Sequence, residues 1–241
     1  MKTVLGLPDA VKACLFDLDG VLTDTARVHA AAWEKMFDDF LSSRGAKPFD
    51  AHADYDEYVD GRSRLDGVRS FLHSRGITLR DGSPDDPSGA ETVQGLARRK
   101  NDLVLAYIKK HGVQAYPGSV RYVKAAREAG LKRAVVSASA NCRDVLRAAG
   151  IEDLFDEVID GNVAAHEQLA GKPAPDTYLA GARAVGLAPT AAAVFEDALA
   201  GVQAGHAGGF AFVVGVDRVG QADQLKSDGA DVVVTDLAEL L

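Results

Sequence analysis

The stretch that decides the fold is Phe16–Thr25, which reads Phe-Asp-Leu-Asp-Gly-Val-Leu-Thr-Asp-Thr. The apolar run Ala13–Phe16 leads into it and has the length and composition of a buried strand. Asp17 and Asp19 follow two residues apart, a spacing that turns both carboxylates the same way at the end of a strand. Open α/β sheets carry their chemistry at this edge. An isolated Asp-x-Asp is more often a polar turn, but two such carboxylates can share a hard cation or act as nucleophile and general acid/base.

Length, composition and charge limit the number of domains and the kinds of partner that this chain can have. The chain has 241 residues, 47% of them hydrophobic, and a net charge of −8. It is long enough for one large domain or two smaller ones, and its acidic balance disfavours binding to nucleic acid or to an anionic membrane. No apolar stretch approaches the roughly 20 residues of a membrane span. The two cysteines, Cys14 and Cys142, are expected to be plain thiols in a reducing compartment, so we expect a cytoplasmic protein.

Strand and helix patterns alternate through the second half of the chain. Predicted strands cover 133–136, 157–159, 193–195, 210–214 and 231–234, and predicted helices cover 119–129, 141–149 and a segment beginning near Pro175. This alternation is typical of a doubly wound parallel sheet, a Rossmann-like α/β core with helices on both faces. The stretch 26–114 reads as helical and interrupts the pattern after the first strand. We therefore predict a core of residues 1–25 and 115–241 with an inserted all-helical cap domain over 26–114.

Two predicted helices of the cap carry polar residues on apolar faces. In the helix predicted over 26–44, His29 and Trp33 are four residues apart and share a face; a structural histidine and a packing tryptophan are the simpler interpretation. In the helix predicted over 90–111, Lys100 falls within an apolar stripe. Such a lysine usually extends to water. A buried anion is the alternative, and we favour it because the polar clusters described below indicate a phosphate site, which needs cations nearby.

A turn rich in arginine lies between these helices. The segment Gly61–Gly67 reads Gly-Arg-Ser-Arg-Leu-Asp-Gly, and Ser63 is a suitable N-cap for the helix that follows. Arg62 and Arg64 then lie beside a helix N-terminus, where side-chain charge and free backbone amides together suit an anion. Solvated surface arginines are an equally good interpretation of the spacing alone.

Three polar clusters fall at or beyond the ends of predicted strands, on the edge expected for Asp17. They are Ser137, Lys172 within Gly-Lys-Pro-Ala-Pro, and the adjacent pair Glu196 and Asp197. Each alone has an ordinary explanation as a turn serine, a surface lysine or an acidic loop. Together they indicate a metal–phosphate site, because a carboxylate that attacks a phosphoryl group needs Mg²⁺ and a cation such as Lys172 to offset charge repulsion.

The order of these motifs resembles that of the haloacid dehalogenase superfamily over essentially the whole chain. The resemblance implies that Asp17 is a nucleophile that becomes an aspartyl-phosphate and that Asp19 is the general acid/base. It also implies that Ser137 and Lys172 hold the transferring phosphoryl group. The Mg²⁺ ligands implied are Asp17, Glu196, Asp197 and the backbone carbonyl of Asp19.

A narrower resemblance, to the β-phosphoglucomutase branch, rests on five groups of residues: His29, Trp33, Gly61-Arg62-Ser63-Arg64, Arg99-Lys100-Asn101 and Ser137-Ala138-Ser139-Ala140-Asn141. It implies that Arg64 and Lys100 grip the second phosphate of the substrate when the cap closes and that His29 orients Asp19. It places Gly61, Arg62, Trp33, Ala138, Ser139 and Asn141 around the substrate. Asp60 and Ala140 depart from the pattern of the branch, which leaves the particular sugar open.

The implied reaction converts β-glucose 1-phosphate to glucose 6-phosphate, with β-glucose 1,6-bisphosphate as the activating intermediate. A sugar-phosphate phosphatase of the same superfamily is the main alternative, because the two activities share every core motif. A signalling receiver module and a catalytically silent sugar-phosphate-binding protein are further alternatives; the first leaves half of the chain unexplained. We expect a small-molecule sugar phosphate as partner and a monomeric protein.

Overall fold

A computed structural model describes residues 5–241, so the first four residues of the predicted core segment lie outside the described part. The chain forms two compact units. One unit comprises the residues up to Asp24 together with Val113–Leu241, and the other comprises Thr25–Gly112. Every helix among the described residues is too short or too polar to span a membrane.

The first unit is built on a parallel sheet of six strands in the order β3-β2-β1-β4-β5-β6. The strands are β1 Ala13–Phe16, β2 Lys132–Val136, β3 Glu157–Ile159, β4 Ala192–Glu196, β5 Phe212–Val216 and β6 Val232–Val234. β1 and β4 are buried along their whole length, which explains why they read as continuous apolar runs rather than alternating ones. The predicted doubly wound parallel sheet is confirmed.

The second unit contains helices and no strand among its described residues, as predicted for the insertion. Its helices are α1 Ala26–Ser42, α2 Arg64–Ser74 and α3 Val93–His111, with one π-helical turn at Tyr55–Val59. Helix α3 begins three residues later than predicted because Thr92 is its N-cap and accepts a hydrogen bond from the N–H of Gly95. Helix α1 ends at Ser42, two residues before the predicted end.

Helices of the first unit cover both faces of the sheet. They are α4 Pro117–Glu128, α5 Cys142–Ala148, α6 Gly161–His166, α7 Asp176–Ala184, α8 Leu199–Ala207 and α9 Ala222–Ser227. Leu15 of β1 packs in one core cluster with Tyr178 of α7 and Val202 of α8. The next residue, Phe16, points the other way and meets the ring of Tyr122 of α4 edge-on, with centroids 6.3 Å apart.

Several boundaries in the first unit differ from the prediction by one or two residues. β5 was expected at 210–214 but covers Phe212–Val216, because Phe210 belongs to the connection after α8 and packs its ring edge-on against Tyr178. The strand predicted over 193–195 was expected to end in the acidic pair that starts with Glu196, and Glu196 is the last residue of β4. The short helices α6 and α9 were not predicted; α6 lies between β3 and Lys172, which therefore follows a helix rather than a strand.

The register of the sheet determines where the polar ends of its strands lie. Phe16 of β1 pairs with Val135 of β2 on one side and with Phe195 of β4 on the other. Because these strands are parallel and level, Asp17 and Glu196 follow their paired residues at the same edge of the sheet.

Candidate active site

The loop after β1 begins as a continuation of the strand. The N–H of Asp17 donates to the carbonyl of Phe195 at 2.9 Å, which fixes Asp17 beside the end of β4. Asp19 follows in a turn closed by a hydrogen bond from the Gly20 N–H to the Thr23 carbonyl at 2.8 Å. Gly20 has a φ of +83°, and a Cβ added there would overlap the carboxylate of Asp197. Glycine is therefore required because the two acid-bearing loops touch at this point.

Lys172 is buried between two carboxylates. Its Nζ donates to Asp17 Oδ1 at 2.6 Å, to Glu196 Oε1, and more weakly to the carbonyl of Val136 at 3.4 Å. The side chain of Lys172 is 2% exposed and that of Glu196 is fully buried. These contacts join the ends of β1, β2 and β4 through one ammonium group, whose three N–H donors are matched by three acceptors.

The pKa values of this group reflect burial and mutual charge. Burial raises the pKa of Asp17 well above its usual range; Lys172 opposes this, whereas the neighbouring acids Glu196 and Asp19 add to it. Burial by itself lowers the pKa of Lys172, but the carboxylates of Asp17 and Glu196 outweigh it and the net pKa is raised. Lys172 therefore stays charged in the site.

Glu196 is held by three donors. Oε1 accepts from Lys172 and from the hydroxyl of Tyr178 at 2.9 Å, and Oε2 accepts from the N–H of Ala198 at 3.1 Å. A Cβ added at Gly201 would overlap this carboxylate, so the small residue lets α8 pass close to it. A carboxylate offers about four lone-pair positions, so Glu196 keeps capacity for one further partner.

The acidic residues of this edge suit a hard cation. Oxygens of Asp17, Glu196 and Asp197 all lie within 4.8 Å of one another, and all three residues are buried. An all-oxygen carboxylate set is typical of Mg²⁺ and Ca²⁺ sites. Lys172 contributes one positive charge against three carboxylates, so a divalent cation would balance the remaining charge of the set. The side chains present thus fit Mg²⁺.

The loop after β2 is braced by its own hydroxyl groups. Ser137 is buried, its N–H donates to the carbonyl of Ile159 at 2.9 Å, and its Oγ accepts from the N–H of Ser139 at 3.1 Å. The Oγ of Ser139 in turn accepts from the N–H of Asn141 at 3.2 Å. The carbonyl of Ala138 lies against α6, where a Cβ added at Gly161 would come within 2.7 Å of it. This loop starts directly after the Val136 carbonyl that Lys172 contacts.

In the second unit the structure brings His29, Trp33 and Lys100 together. Lys100 is 3% exposed, its Nζ lies 2.7 Å from His29 Nδ1, and it sits 4.9 Å from the centroid of a ring of Trp33. A charged ammonium can only donate, so opposite a charged Lys100 the ring nitrogen Nδ1 of His29 is the acceptor. Lys100 does not extend to water, the usual fate of such a residue, and makes a cation–π contact instead.

The arginine turn precedes α2 as predicted. The Oγ of Ser63 accepts from the N–H of Asp66 at 3.2 Å and caps the helix, and Gly61 has a φ of +67°. Arg62 donates from Nη2 to the carbonyl of Glu57 at 3.4 Å. Burial lowers the pKa of Arg64, a shift that Asp102 opposes and Arg98 reinforces. Arg64 is thus a partly desolvated cation beside helix α3.

Three residues around the acidic edge were not identified from the sequence: Tyr178, Arg218 and Gln221. Tyr178 reads as part of the apolar face of α7, and its hydroxyl is what distinguishes it from a packing residue. Arg218 and Gln221 follow β5 at the same edge of the sheet. The position of a polar loop after a strand was a usable signal for both.

Replacement of Tyr178 by phenylalanine is expected to lower the free energy of unfolding by about 2 kcal/mol, because it removes a buried hydrogen bond to a charged group. Burial, and then the charge of Glu196, raises the pKa of this phenol, so it acts as a neutral donor. Urea denaturation measures the effect. The matched control is Tyr107→Phe in α3, where no described residue hydrogen-bonds to the hydroxyl; equal stability of the two variants would contradict the role of the Tyr178 hydroxyl.

Comparison with known proteins shows the family to which the chain belongs. A family model described as haloacid dehalogenase-like hydrolase matches residues 11–209. The β-phosphoglucomutase of Mycobacterium bovis is 57% identical over 247 residues, which covers 99% of this chain and 94% of that protein. The β-phosphoglucomutase of Bacillus subtilis is 32% identical, with 95% of this chain and 92% of that protein covered. A crystal structure of a β-phosphoglucomutase from Clostridium difficile matches with a TM-score of 0.75 at 28% identity, covering 96% of this chain and 93% of that one.

With a parallel sheet, a helical insertion and a buried aspartate–lysine–glutamate group at one sheet edge, the chain is an enzyme of the haloacid dehalogenase superfamily. It belongs to the β-phosphoglucomutase-like branch of that superfamily, among the phosphomutases. Membership of this branch indicates that the enzyme catalyses phosphoryl transfer.

Proposed function

We propose that this enzyme transfers a phosphoryl group between positions of one sugar phosphate, with Asp17 as the residue that carries it. The observation that supports this most directly is the Lys172 ammonium, buried and 2.6 Å from Asp17 Oδ1. A carboxylate that must attack an anionic phosphoryl group needs such a fixed cation at its side. The first unit is then the catalytic core, and the helical unit is its cap.

The first step can be written with atoms and charges in balance. An oxygen of Asp17 forms a bond to phosphorus while the bond from phosphorus to the leaving sugar oxygen breaks. In our proposal Asp19 gives its proton to that oxygen and later takes one from the attacking hydroxyl. Ser137 and Lys172 hold the phosphoryl oxygens, and Ser139 and Asn141 keep the Ser137 loop in shape through their hydrogen bonds.

Mg²⁺ is the proposed metal. Asp17, Glu196 and Asp197 would hold it through carboxylate oxygens, together with the backbone carbonyl of Asp19. When bound, it supplies positive charge that offsets the repulsion between the nucleophile and the phosphate. The fit rests on the carboxylate set described above, whose oxygens lie within 4.8 Å of one another.

The proposed substrate is β-glucose 1-phosphate. The phosphorylated enzyme would donate its phosphoryl group to this sugar, which gives β-glucose 1,6-bisphosphate; the bisphosphate would then turn and return its other phosphate to Asp17, leaving glucose 6-phosphate. Two relatives that carry the name β-phosphoglucomutase, at 57% and 32% identity over nearly the whole chain, support this choice. The cap residues Lys100 and Arg64, both partly or fully withdrawn from water, are the proposed contacts of the second phosphate.

The remaining cap residues have supporting roles in this proposal. His29, whose Nδ1 lies 2.7 Å from Lys100 Nζ, is the residue that we propose orients Asp19. Trp33 would hold the Lys100 ammonium through its ring, and Gly61 and Arg62 would shape the turn that carries Arg64. The proposal includes a monomer that works in the cytoplasm.

One assay tests the activity. Purified protein, Mg²⁺, β-glucose 1-phosphate and a trace of β-glucose 1,6-bisphosphate are combined, and glucose 6-phosphate and free phosphate are followed in the same tube. Glucose 6-phosphate that rises without matching phosphate supports the mutase. Free phosphate released in proportion to substrate consumed supports the alternative, a sugar-phosphate phosphatase that uses the same core residues. Binding of the sugar without either product supports a silent binding protein.

Replacement of Lys100 by methionine is expected to reduce turnover about 10- to 100-fold, since it deletes one charge-assisted contact to phosphate. Methionine keeps the apolar contacts of the side chain, but the contacts of Lys100 Nζ with His29 and Trp33 are lost, so we also expect the free energy of unfolding to fall by about 1–3 kcal/mol. Steady-state kinetics with β-glucose 1-phosphate measure the loss. The control is Lys109→Met, an exposed position of the same helix; equal kinetics for both variants would remove Lys100 from the substrate site.

A further inference from the structure

The loop after β5 is a rigid element at the same sheet edge as the acids. It comprises Asp217–Gln221. The N–H of Asp217 donates to the carbonyl of Val234 at 2.8 Å, which ties the start of the loop to β6. The carboxylate oxygen Oδ1 of Asp217 accepts from the backbone N–H groups of residues 219–221 at 2.6–3.1 Å. The loop is therefore folded back on its own aspartate and needs no ligand to hold its shape.

Two side chains leave this loop and reach the two acid-bearing loops. Arg218 donates from Nε to the carbonyl of Gly20, the residue after Asp19, at 2.8 Å. Gln221 donates from Nε2 to the carbonyl of Asp197 at 2.9 Å. Each bond is to backbone, so each fixes the path of a loop rather than the rotamer of one side chain.

The guanidinium of Arg218 is itself fixed. Nη1 donates to the carbonyl of Thr235 at 2.6 Å, and Cζ lies 3.9 Å from the centroid of the Tyr116 ring. The hydroxyl of Tyr116 donates to Asp24 Oδ1 at 3.3 Å, at the far end of the loop that contains Asp19. Arg218 thus bonds directly to Gly20, in the middle of the Asp19 loop. It also stacks on Tyr116, whose hydroxyl bonds to Asp24 at the end of that loop. A lysine cannot make both carbonyl contacts and the planar stack together.

We propose that the 217–221 loop sets the distance between the loop of Asp19 and the loop of Asp197, with Arg218 and Gln221 as positioning residues. The two loops already touch where Gly20 meets the Asp197 carboxylate, so a small shift of either changes the separation of the carboxylates. Residues that orient metal ligands from behind commonly change metal affinity or activity 10- to 100-fold when replaced. The inference rests on the proposed function only in that Mg²⁺ is the ion whose affinity would respond.

Three variants test the proposal in the full-length protein. Gln221→Met keeps the length of the side chain and removes the donor to Asp197; Gln221 Oε1 is buried without a hydrogen-bond partner among the described residues, so no second bond is lost. Arg218→Lys keeps the positive charge and removes the planar guanidinium group with its several N–H donors. The matched control is Gln224→Met, which makes the same change at an exposed position of α9.

The first readout is amide hydrogen exchange in metal-free protein, over peptides that cover residues 17–25 and 196–201. We expect exchange about fivefold faster or more near 196–201 in Gln221→Met and near 17–25 in Arg218→Lys, as for the loss of one local hydrogen bond. The control should match the wild type. Unchanged exchange in both variants overturns the proposal, and this readout does not depend on metal or substrate.

The second readout is the Kd for Mg²⁺ alone, measured by calorimetric titration. We expect the affinity to be about 10-fold weaker or more in both variants, measured at a temperature at which circular dichroism shows each variant to be folded. Faster exchange with wild-type Mg²⁺ affinity would overturn the positioning role and reduce the loop to a structural support. If the variants exchange faster and the wild-type protein binds no Mg²⁺, the proposed metal is contradicted. The role of the 217–221 loop in placing the acidic residues would then still stand.

Discussion

Replacement of Asp17 by asparagine is expected to reduce formation of glucose 6-phosphate by about 10⁴-fold or more, the range seen when a catalytic nucleophile is removed. The amide is neutral and cannot form the acyl-phosphate bond. The variant should still fold, because burial already disfavours the charged form of Asp17, and Lys172 keeps its bond to Glu196. Coupled steady-state kinetics measure the loss.

The control for this variant is Asp223→Asn, at an exposed position of α9, which should retain wild-type turnover. Circular dichroism and the unfolding midpoint establish that the Asp17 variant is folded. A folded Asp17→Asn protein with turnover within about tenfold of the wild type would remove this carboxylate from the role of nucleophile.

Replacement of Lys172 by methionine is expected to have the largest effect on stability, a loss of about 3–5 kcal/mol in the free energy of unfolding. The ammonium lies between Asp17 and Glu196 with only 2% of its side chain exposed, so its removal leaves buried carboxylates without their counter-charge. Turnover should fall as well, since the phosphoryl group loses a fixed cation. Urea denaturation and the coupled assay measure the two effects.

Lys132→Met is the matched control, because Lys132 is exposed at the start of β2; it should change stability by less than about 0.5 kcal/mol. Mg²⁺ should restore part of the stability lost in the Lys172 variant, since a divalent cation replaces positive charge among the same carboxylates. A Lys172 variant as stable as the control would show that this buried ion pair is not what holds the strand ends together.

Much of the fold could be predicted because its signals are local. β1 and β3 have the predicted bounds, since each is a short apolar run followed directly by a polar turn. The helix caps Ser63 and Thr92 illustrate the same point, although only Ser63 was identified in advance. β5 was misplaced by two residues because Phe210, apolar and next to the strand, is half-buried through a tertiary contact with Tyr178 that no local pattern encodes.

The candidate site could be predicted where its residues follow strands. Asp17 and Glu196 were placed at one edge from the strand pattern alone, and their common contact with Lys172 agrees with that placement. Tyr178 could not be found in this way, because an apolar helix face explains a tyrosine without its hydroxyl. The backbone contacts of Arg218 and Gln221 depend on how three loops pack, which sequence spacing does not specify.

The central claim is that Asp17 carries the phosphoryl group during the reaction. The direct measurement uses β-glucose 1,6-bisphosphate labelled with radioactive phosphate, brief reaction with the enzyme and Mg²⁺, acid quench, and mapping of the label by mass spectrometry. We expect label on the peptide that contains Asp17 in the wild type and none on that peptide in Asp17→Asn. Label on another residue, or turnover of the bisphosphate with no labelled protein in the quenched sample, would contradict the account.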